Sequence, residues 1–199
     1  MPRLAFGCLA LGVGIGFTVT AHLGVSPWDV LHQGIQRHSP LSFGTVVVLV
    51  GLAVLVFWIP LGQRLGLGTV VNTLTVGFVA DATLTVLSEP ANAAARWALL
   101  VGGIVIIAFG MGLYIGAGLG PGPRDGLMTG ITARGYPLWA VRTALELTVL
   151  VGGWLLGGDV GVGTVMFALA IGPLGHFFLA RLHLGVDARD PDPDAALGE

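Results

Sequence analysis

Long apolar stretches separated by short polar interruptions dominate this chain. A bilayer core about 30 Å thick requires roughly 20 apolar residues for each helix that crosses it. Polar or charged breaks at Arg64, 89–96 and 157–159 separate stretches of that length. The pattern therefore predicts six membrane-spanning helices, at about 4–20, 42–59, 67–87, 97–117, 138–156 and 163–182.

Two shorter helices are predicted between the first and second spans and between the fourth and fifth. The sequence Ser-Pro-Trp-Asp at 26–29 places an N-cap residue, a proline and an acid where a helix start prefers them. Gly-Pro-Arg-Asp at 122–125 repeats this start with glycine as the cap. Each start opens a helix of about eleven residues, ending near Arg37 and near Arg134, which at 1.5 Å per residue covers about half a membrane.

A half-length helix in a membrane protein has two interpretations. It can lie on the membrane surface as an amphipathic connector. It can also be re-entrant, because the six residues 21–26 in extended form span up to about 20 Å and reach the midplane. Non-helical backbone at that depth is tolerated where protein or water surrounds it. The glycine-rich approach Gly-Ala-Gly-Leu-Gly-Pro-Gly at 116–122 suits close packing inside protein, so we favour re-entry.

The chain also contains an internal duplication. Leu23–Ile35 (LGVSPWDVLHQGI) and Leu119–Ile131 (LGPGPRDGLMTGI) share seven of thirteen residues at a spacing of 96. The fourteen residues from Gly66 (GLGTVVNTLTVGFV) and from Gly161 (GVGTVMFALAIGPL) share six at a spacing of 95. Such repeats are common in transporters, and a unit with three spans would enter the membrane inverted relative to its copy.

The predicted fold is therefore an all-α integral membrane protein with two inverted repeats of three spans, each with one short re-entrant or interfacial helix. Repeat 1 covers about 4–90 and repeat 2 about 97–185, within a membrane domain at 1–185. The remaining residues, 186–199, are acidic and rich in proline, and we expect a disordered tail there.

Composition agrees with a membrane protein that has little soluble mass. Of the 199 residues, 54% are hydrophobic and 10% are charged, against about 25% charged in soluble domains. The mean hydropathy is +0.88. With the N- and C-termini in the cytoplasm, six arginines lie inside and two outside, which satisfies the positive-inside rule. Eight spans would give the same ratio, so helix length, rather than charge, favours six.

Ionisable groups within spans are the first candidates for function, because each costs about 2.5 to 3.5 kcal/mol on insertion scales. Asp81 and its counterpart His176 could form a proton or ion relay, or each could make a structural hydrogen bond. Arg142 and Glu146, one helical turn apart, could form an intrahelical ion pair. Asn72 adds a polar side chain to the third span.

The starts of the two short helices are the second group of candidates. Asp29 and Asp125 would stabilise the positive end of each helix dipole. Alternatively, the free N–H groups and Arg124 could bind an anion or a carbonyl group. Binding of a polar neutral solute, or of a cation held by Asp29 and Asp125, is a further alternative. The full candidate solute or ion pathway is Pro27, Asp29, Asn72, Asp81, Pro123, Arg124, Asp125, Arg142, Glu146 and His176.

Other classes of function find little support in the sequence. HExxH, CxxC and phosphate-binding Gly-Lys-Ser/Thr patterns are absent, and Cys8 stands alone. We therefore expect no enzyme, no catalytic residue, no cofactor and no metal site. The lack of a basic patch argues against nucleic acid. The expected partners are the lipid bilayer and a small polar solute, with a membrane protein partner or a homo-oligomer left open.

Several motifs resemble a known family. LGVSPWDVLHQGI, LGLGTVVN, GLGPGPRDGLMTGI, RTALELTVLVGGWLLGGDVGVGTV and FALAIGPLGHFF are similar to the YczE branch of the YczE/YyaS/YitT bacterial membrane proteins. The resemblance covers about 6–178 and implies a multi-pass protein of the bacterial plasma membrane, with no catalytic residues to transfer. The leading hypothesis is a small-solute transporter or channel-like permease. The alternative is a non-transporting accessory or scaffold protein that acts through a partner.

Overall fold

Eight helices make up the part of the chain that the computed structural model describes, residues 1–182. Six of them are long and apolar enough to cross a membrane, and the two others have eleven and ten residues. The predicted all-α membrane class and the six spans are confirmed, while residues 183–185 and the predicted tail at 186–199 lie outside the described part. In chain order the helices are α1 Pro2–Ala21, α2 Pro27–Arg37, α3 Phe43–Leu61, α4 Leu67–Val86, α5 Ala93–Ile115, α6 Pro123–Thr132, α7 Leu138–Leu155 and α8 Val162–Leu182.

The two short helices begin as the sequence predicts and differ in their caps. The Ser26 hydroxyl accepts a hydrogen bond from the Asp29 N–H at 3.2 Å, which caps α2. The corresponding Gly122 has no side chain to cap α6. Helix α2 ends at Arg37 as expected, and α6 ends at Thr132, two residues before the expected Arg134.

Helices α1 and α5, which start the two repeats, cross at the centre through glycines. A Cβ at Gly7 would lie 2.9 Å from the Gly110 carbonyl oxygen, and a Cβ at Gly14 would lie 2.9 Å from that of Gly103. The early residue of one helix thus meets the late residue of the other, so α1 and α5 run antiparallel. Small residues allow this approach, and any larger side chain would separate the two helices.

Helices α1 and α4 run in the same direction. A Cβ at Gly12 would lie 2.5 Å from Val79 Cβ, and one at Gly16 would lie 2.7 Å from Thr83 Cβ. If α2 crossed the membrane completely, three reversals would separate α1 from α4 and make them antiparallel. The observed direction therefore excludes the eight-span arrangement.

The glycine motifs at the starts of α4 and α8 each form a backbone hydrogen bond with the other repeat. The Gly68 N–H donates to the Leu119 carbonyl at 2.7 Å, and the equivalent Gly163 N–H donates to the Leu23 carbonyl at 2.7 Å. A Cβ at Gly66 would come within 2.4 Å of the Leu119 oxygen, so glycine is required there. Each repeat thus supplies the hydrogen-bond partner for the backbone of the other.

One contact breaks this symmetry. Helix α3 packs against α4, with the Cβ position of Gly44 only 2.0 Å from the Gly77 carbonyl oxygen. Across residues 1–182, helices α7 and α8 show no packing of comparable extent. Gly172, which corresponds to Gly77 at the 95-residue spacing, has no atom of residues 1–182 within 4 Å of its Cβ position. The protein is therefore closed between α3 and α4 and open between α7 and α8.

Candidate functional site

The short helix α6 starts beside the middle of α3 and runs toward its end. Pro123 Cγ lies 3.9 Å from the Cβ position of Gly51, at the centre of α3. The indole N–H of Trp58 donates to the Pro123 carbonyl at 3.0 Å. Farther along, Gly130 lies against Leu61, the last residue of α3. The start of α6 is thus level with the middle of α3.

The starts of α2 and α6 line a common cavity of about 130 Å³. Its apolar wall comes from α1, α5 and α8, and its polar wall from the two short helices, α4, α5 and α7. The sequence-predicted candidates that line it are Pro27, Asp29, Asn72, Pro123, Arg124, Asp125, Arg142 and Glu146.

Asp29 is almost fully buried, and both of its oxygens are occupied. The Ser26 hydroxyl donates to one oxygen at 2.5 Å, and His32 Nδ1 lies 3.1 Å from the other. Ser26 and His32 are buried as well. Asp29 therefore stabilises the start of α2 through partners on its own helix.

Asp125 has a different partner, because Gly122 has no hydroxyl. The Tyr114 hydroxyl donates to the Asp125 carboxylate and accepts a hydrogen bond from the Gly122 N–H at 2.8 Å. Tyr114 belongs to α5 and lines the cavity. Sequence reasoning did not identify it; the available signal was a phenol within an apolar span, since a buried Tyr hydroxyl usually requires a hydrogen-bond partner.

Arg142 and Glu146 form the expected pair on α7, with Arg142 Nε 3.0 Å from Glu146 Oε1. Their side chains are 44% and 28% exposed. Because both also line the cavity, the cavity reaches the surface along α7, on the side where α7 and α8 are apart.

Arg124 and Trp28, which occupy equivalent positions in the two repeats, meet at the cavity. The Arg124 guanidinium carbon lies 5.7 Å from the centre of the Trp28 ring, a cation–π arrangement. Within residues 1–182 Arg124 forms no ion pair shorter than 4 Å. The indole N–H of Trp28 is buried and has no hydrogen-bond partner in the same range.

Asp81 and His176, the two relay candidates, do not line this cavity, and Asp81 makes the structural hydrogen bond that was the alternative to a relay. Asp81 accepts hydrogen bonds from the Ser42 hydroxyl at 2.5 Å and the Gly44 N–H at 2.6 Å. It thereby caps α3 from the neighbouring helix α4. His176 is exposed on α8. Spacing alone placed both residues within spans, and it could not show that Asp81 lies level with the start of α3.

Asn72 lines the cavity from α4, with its Nδ2 3.9 Å from Cys8 Sγ. Among residues 1–182, no group of three or more His, Cys, Asp or Glu side chains has an arrangement suited to a metal ion.

Comparison with known proteins gives one matching family model, described as a family of unknown function (DUF6198), over residues 1–180. An uncharacterized protein of Haemophilus influenzae is 42% identical over 88% of this chain and 81% of its own length. The uncharacterized membrane protein YczE of Bacillus subtilis is 35% identical over 88% of this chain and 83% of its own length. YyaS of the same organism is 28% identical over 87% of this chain and 89% of its own length.

No solved structure matches the chain. The expected relation to YczE and YyaS is confirmed by sequence, and the six apolar helices agree with the membrane assignment of YczE. The chain is a multi-pass membrane protein, and it belongs to the DUF6198 family.

Proposed function

We propose that this protein is a small-solute transporter or channel-like permease, with the cavity between the starts of α2 and α6 as its solute site. The observation that carries the proposal is the meeting of two half-length helices at one cavity lined by charged groups. Charged groups inside a membrane domain are costly and usually mark a pathway for a solute or an ion. Helix starts at mid-membrane bind substrates in many transporters.

We also propose that the two halves are inverted repeats with both termini in the cytoplasm. The antiparallel crossing of α1 and α5 supports this arrangement, because equivalent helices of inverted repeats run in opposite directions. The six-to-two arginine distribution supports the orientation.

The difference between the two halves supports an access route on one side. In the first half α3 closes on α4, and in the second half the gap between α7 and α8 leaves Arg142 and Glu146 partly exposed. A solute would enter along α7 and reach Arg124 and Asp125 at the start of α6.

Osmotic measurements on proteoliposomes test the proposal without a known substrate. Vesicles with and without protein are exposed to urea, glycerol or glycine gradients, and reswelling is followed by light scattering. We expect faster reswelling with at least one solute in the protein vesicles. Met111→Trp, which fills the cavity, should abolish the difference, whereas Leu169→Trp, at an exposed position of α8, should keep it.

If Met111→Trp does not fold, Ile171→Phe fills the same cavity from α8. Equal rates in the cavity variants and in Leu169→Trp would refute a pathway through this cavity. Folded protein with no flux of any solute, purified with one stoichiometric partner protein, would instead support the accessory function.

A further inference from the structure

We propose that the solute is a small zwitterion with a short apolar side chain, of the α-amino acid class. This inference rests on the proposed function, since it assumes that the cavity at α2 and α6 is the solute site. It follows from which polar side chains at the cavity already have hydrogen-bond or ion-pair partners and which do not.

Most hydrogen-bonding groups at the cavity already have partners. Asp29 binds Ser26 and His32 through its two oxygens, and Glu146 is paired with Arg142. Within the described range, the Arg124 guanidinium has no ion pair or hydrogen-bond partner, and the Asp125 carboxylate is bound only at Oδ2, by Tyr114. One is positive and the other negative, and they are consecutive residues in the first turn of α6.

Arg124 suits a carboxylate. Its guanidinium carbon lies 5.7 Å from the centre of the Trp28 ring, and a guanidinium presents a planar fork of N–H groups that can bind two carboxylate oxygens. Trp28 itself is 5% exposed and lines the cavity, and its indole N–H has no partner within residues 1–182. A buried donor without a partner is costly, so a bound acceptor group would relieve that cost.

The rest of the cavity suits an aliphatic group. Its apolar wall consists of Leu11, Ile15, Ile107, Met111, Phe167 and Ile171. The volume of about 130 Å³ is close to the roughly 150 Å³ of an engineered apolar cavity that binds benzene. A side chain of a few carbon atoms fits such a space, and an indole does not.

A zwitterion satisfies both free groups at once. A carboxylate alone would leave an Asp125 oxygen without a hydrogen-bond donor, and an amine alone would leave the Arg124 N–H groups without an acceptor. Because a polar group without a partner away from water is costly, a solute that carries both groups is favoured over one that carries either.

Three compounds of nearly the same shape separate these alternatives: L-valine, 3-methylbutanoate and 2-methylpropylamine. Binding is measured as thermal stabilisation of the detergent-purified protein, which does not depend on transport. We expect valine to bind at least about tenfold more tightly than either analogue, since a site built for two polar groups rejects a ligand that lacks one. Tryptophan should not stabilise the protein.

Two variants and one control test whether valine binds at Arg124 and Asp125. Arg124→Gln and Asp125→Asn should each remove the preference for valine over the analogue that lacks the corresponding group. Arg64→Gln, at an exposed position away from the cavity, should leave it intact. If either variant fails to fold, Arg124→Lys or Asp125→Glu, which keep the charge and change the geometry, should weaken valine binding.

Equal binding of valine and 3-methylbutanoate would overturn the proposal in favour of an anion, and equal binding of valine and the amine would favour a cation. Absence of stabilisation by all three would also overturn it. In each case the osmotic experiment judges the transport function separately, because it measures flux across vesicles and does not measure binding of valine or its analogues.

Discussion

The substitution Gly126→Ala tests how the start of α6 is held. A Cβ at this position would lie 2.0 Å from Cζ2 and 2.4 Å from Cη2 of Trp58. Ordinary contact begins at 3.4 Å, so α6 or the indole must move by about 1.4 Å. Trp58 is 1% exposed and donates to Pro123 at 3.0 Å, which leaves the ring little freedom.

The cost follows from these contacts. Overpacking of a well-packed core costs about 1 to 3 kcal/mol, and rotation of Trp58 away from Pro123 would leave a buried donor without a partner, at about 1 to 3 kcal/mol. Alanine gains about 0.5 to 1 kcal/mol over glycine within a helix. The net destabilisation is therefore roughly 1 to 5 kcal/mol.

The assay is the fraction of detergent-purified protein that stays monodisperse on size exclusion after stepwise heating. At about 2 to 4 °C per kcal/mol for a protein of this size, we expect Gly126→Ala to lower Tm by about 2 to 20 °C. Gly102→Ala on α5, where no atom of the described residues lies within 4 Å of the Cβ position, is the matched control and should keep or raise Tm.

A double variant shows whether the clash is the cause. Trp58→Phe removes the indole atoms that the new Cβ would meet, so Gly126→Ala should cost less in that background than in the parent. The expected coupling is about 0.5 to 3 kcal/mol, the range for residues in contact. Equal Tm values for Gly126→Ala and Gly102→Ala would refute the contact between α3 and α6 on which the site depends.

Three further predictions follow from the fold. Gly77→Ala should lower Tm because its Cβ would lie 2.3 Å from the Gly44 carbonyl oxygen, whereas the equivalent Gly172→Ala should not; the same loss in both would contradict the open gap between α7 and α8. Asp81→Asn should lower stability by about 0.5 to 2 kcal/mol through loss of a helix cap and should leave solute binding unchanged. A loss of binding in folded protein would show that Asp81 does belong to the solute pathway. In a Cys8→Ala background, Leu41→Cys and Tyr136→Cys, both exposed and 95 residues apart, should react with an impermeant thiol reagent from opposite membrane faces, and labelling from one face would disprove inversion.

The sequence predicted the helices well because their signals are local. Span length follows from hydropathy, and the starts of α2 and α6 follow from Ser26, Pro27 and Pro123 through capping and proline geometry. The duplication also gave the correspondence between the two halves, and eight of the ten predicted site residues line one cavity.

Contacts between helices that are distant in the chain could not be predicted from the sequence. The hydrogen bonds from Tyr114 to Asp125 and from Ser42 to Asp81 depend on which helices are neighbours and at what height. The different closure of the two halves has a steric cause that pattern matching misses: at the 95-residue spacing, Gly44 corresponds to Trp139, whose indole cannot lie against a backbone as glycine does.

The paired hydrogen bonds from Gly68 to Leu119 and from Gly163 to Leu23 have a consequence for the origin and assembly of this chain. Neither fragment, cut at the connection around 87–92, can bond these backbone groups by itself. Separately expressed fragments should therefore be degraded alone and recovered together as a complex. An ancestral gene of half this length would have encoded a chain that had to associate with a second copy of itself before the two copies were fused.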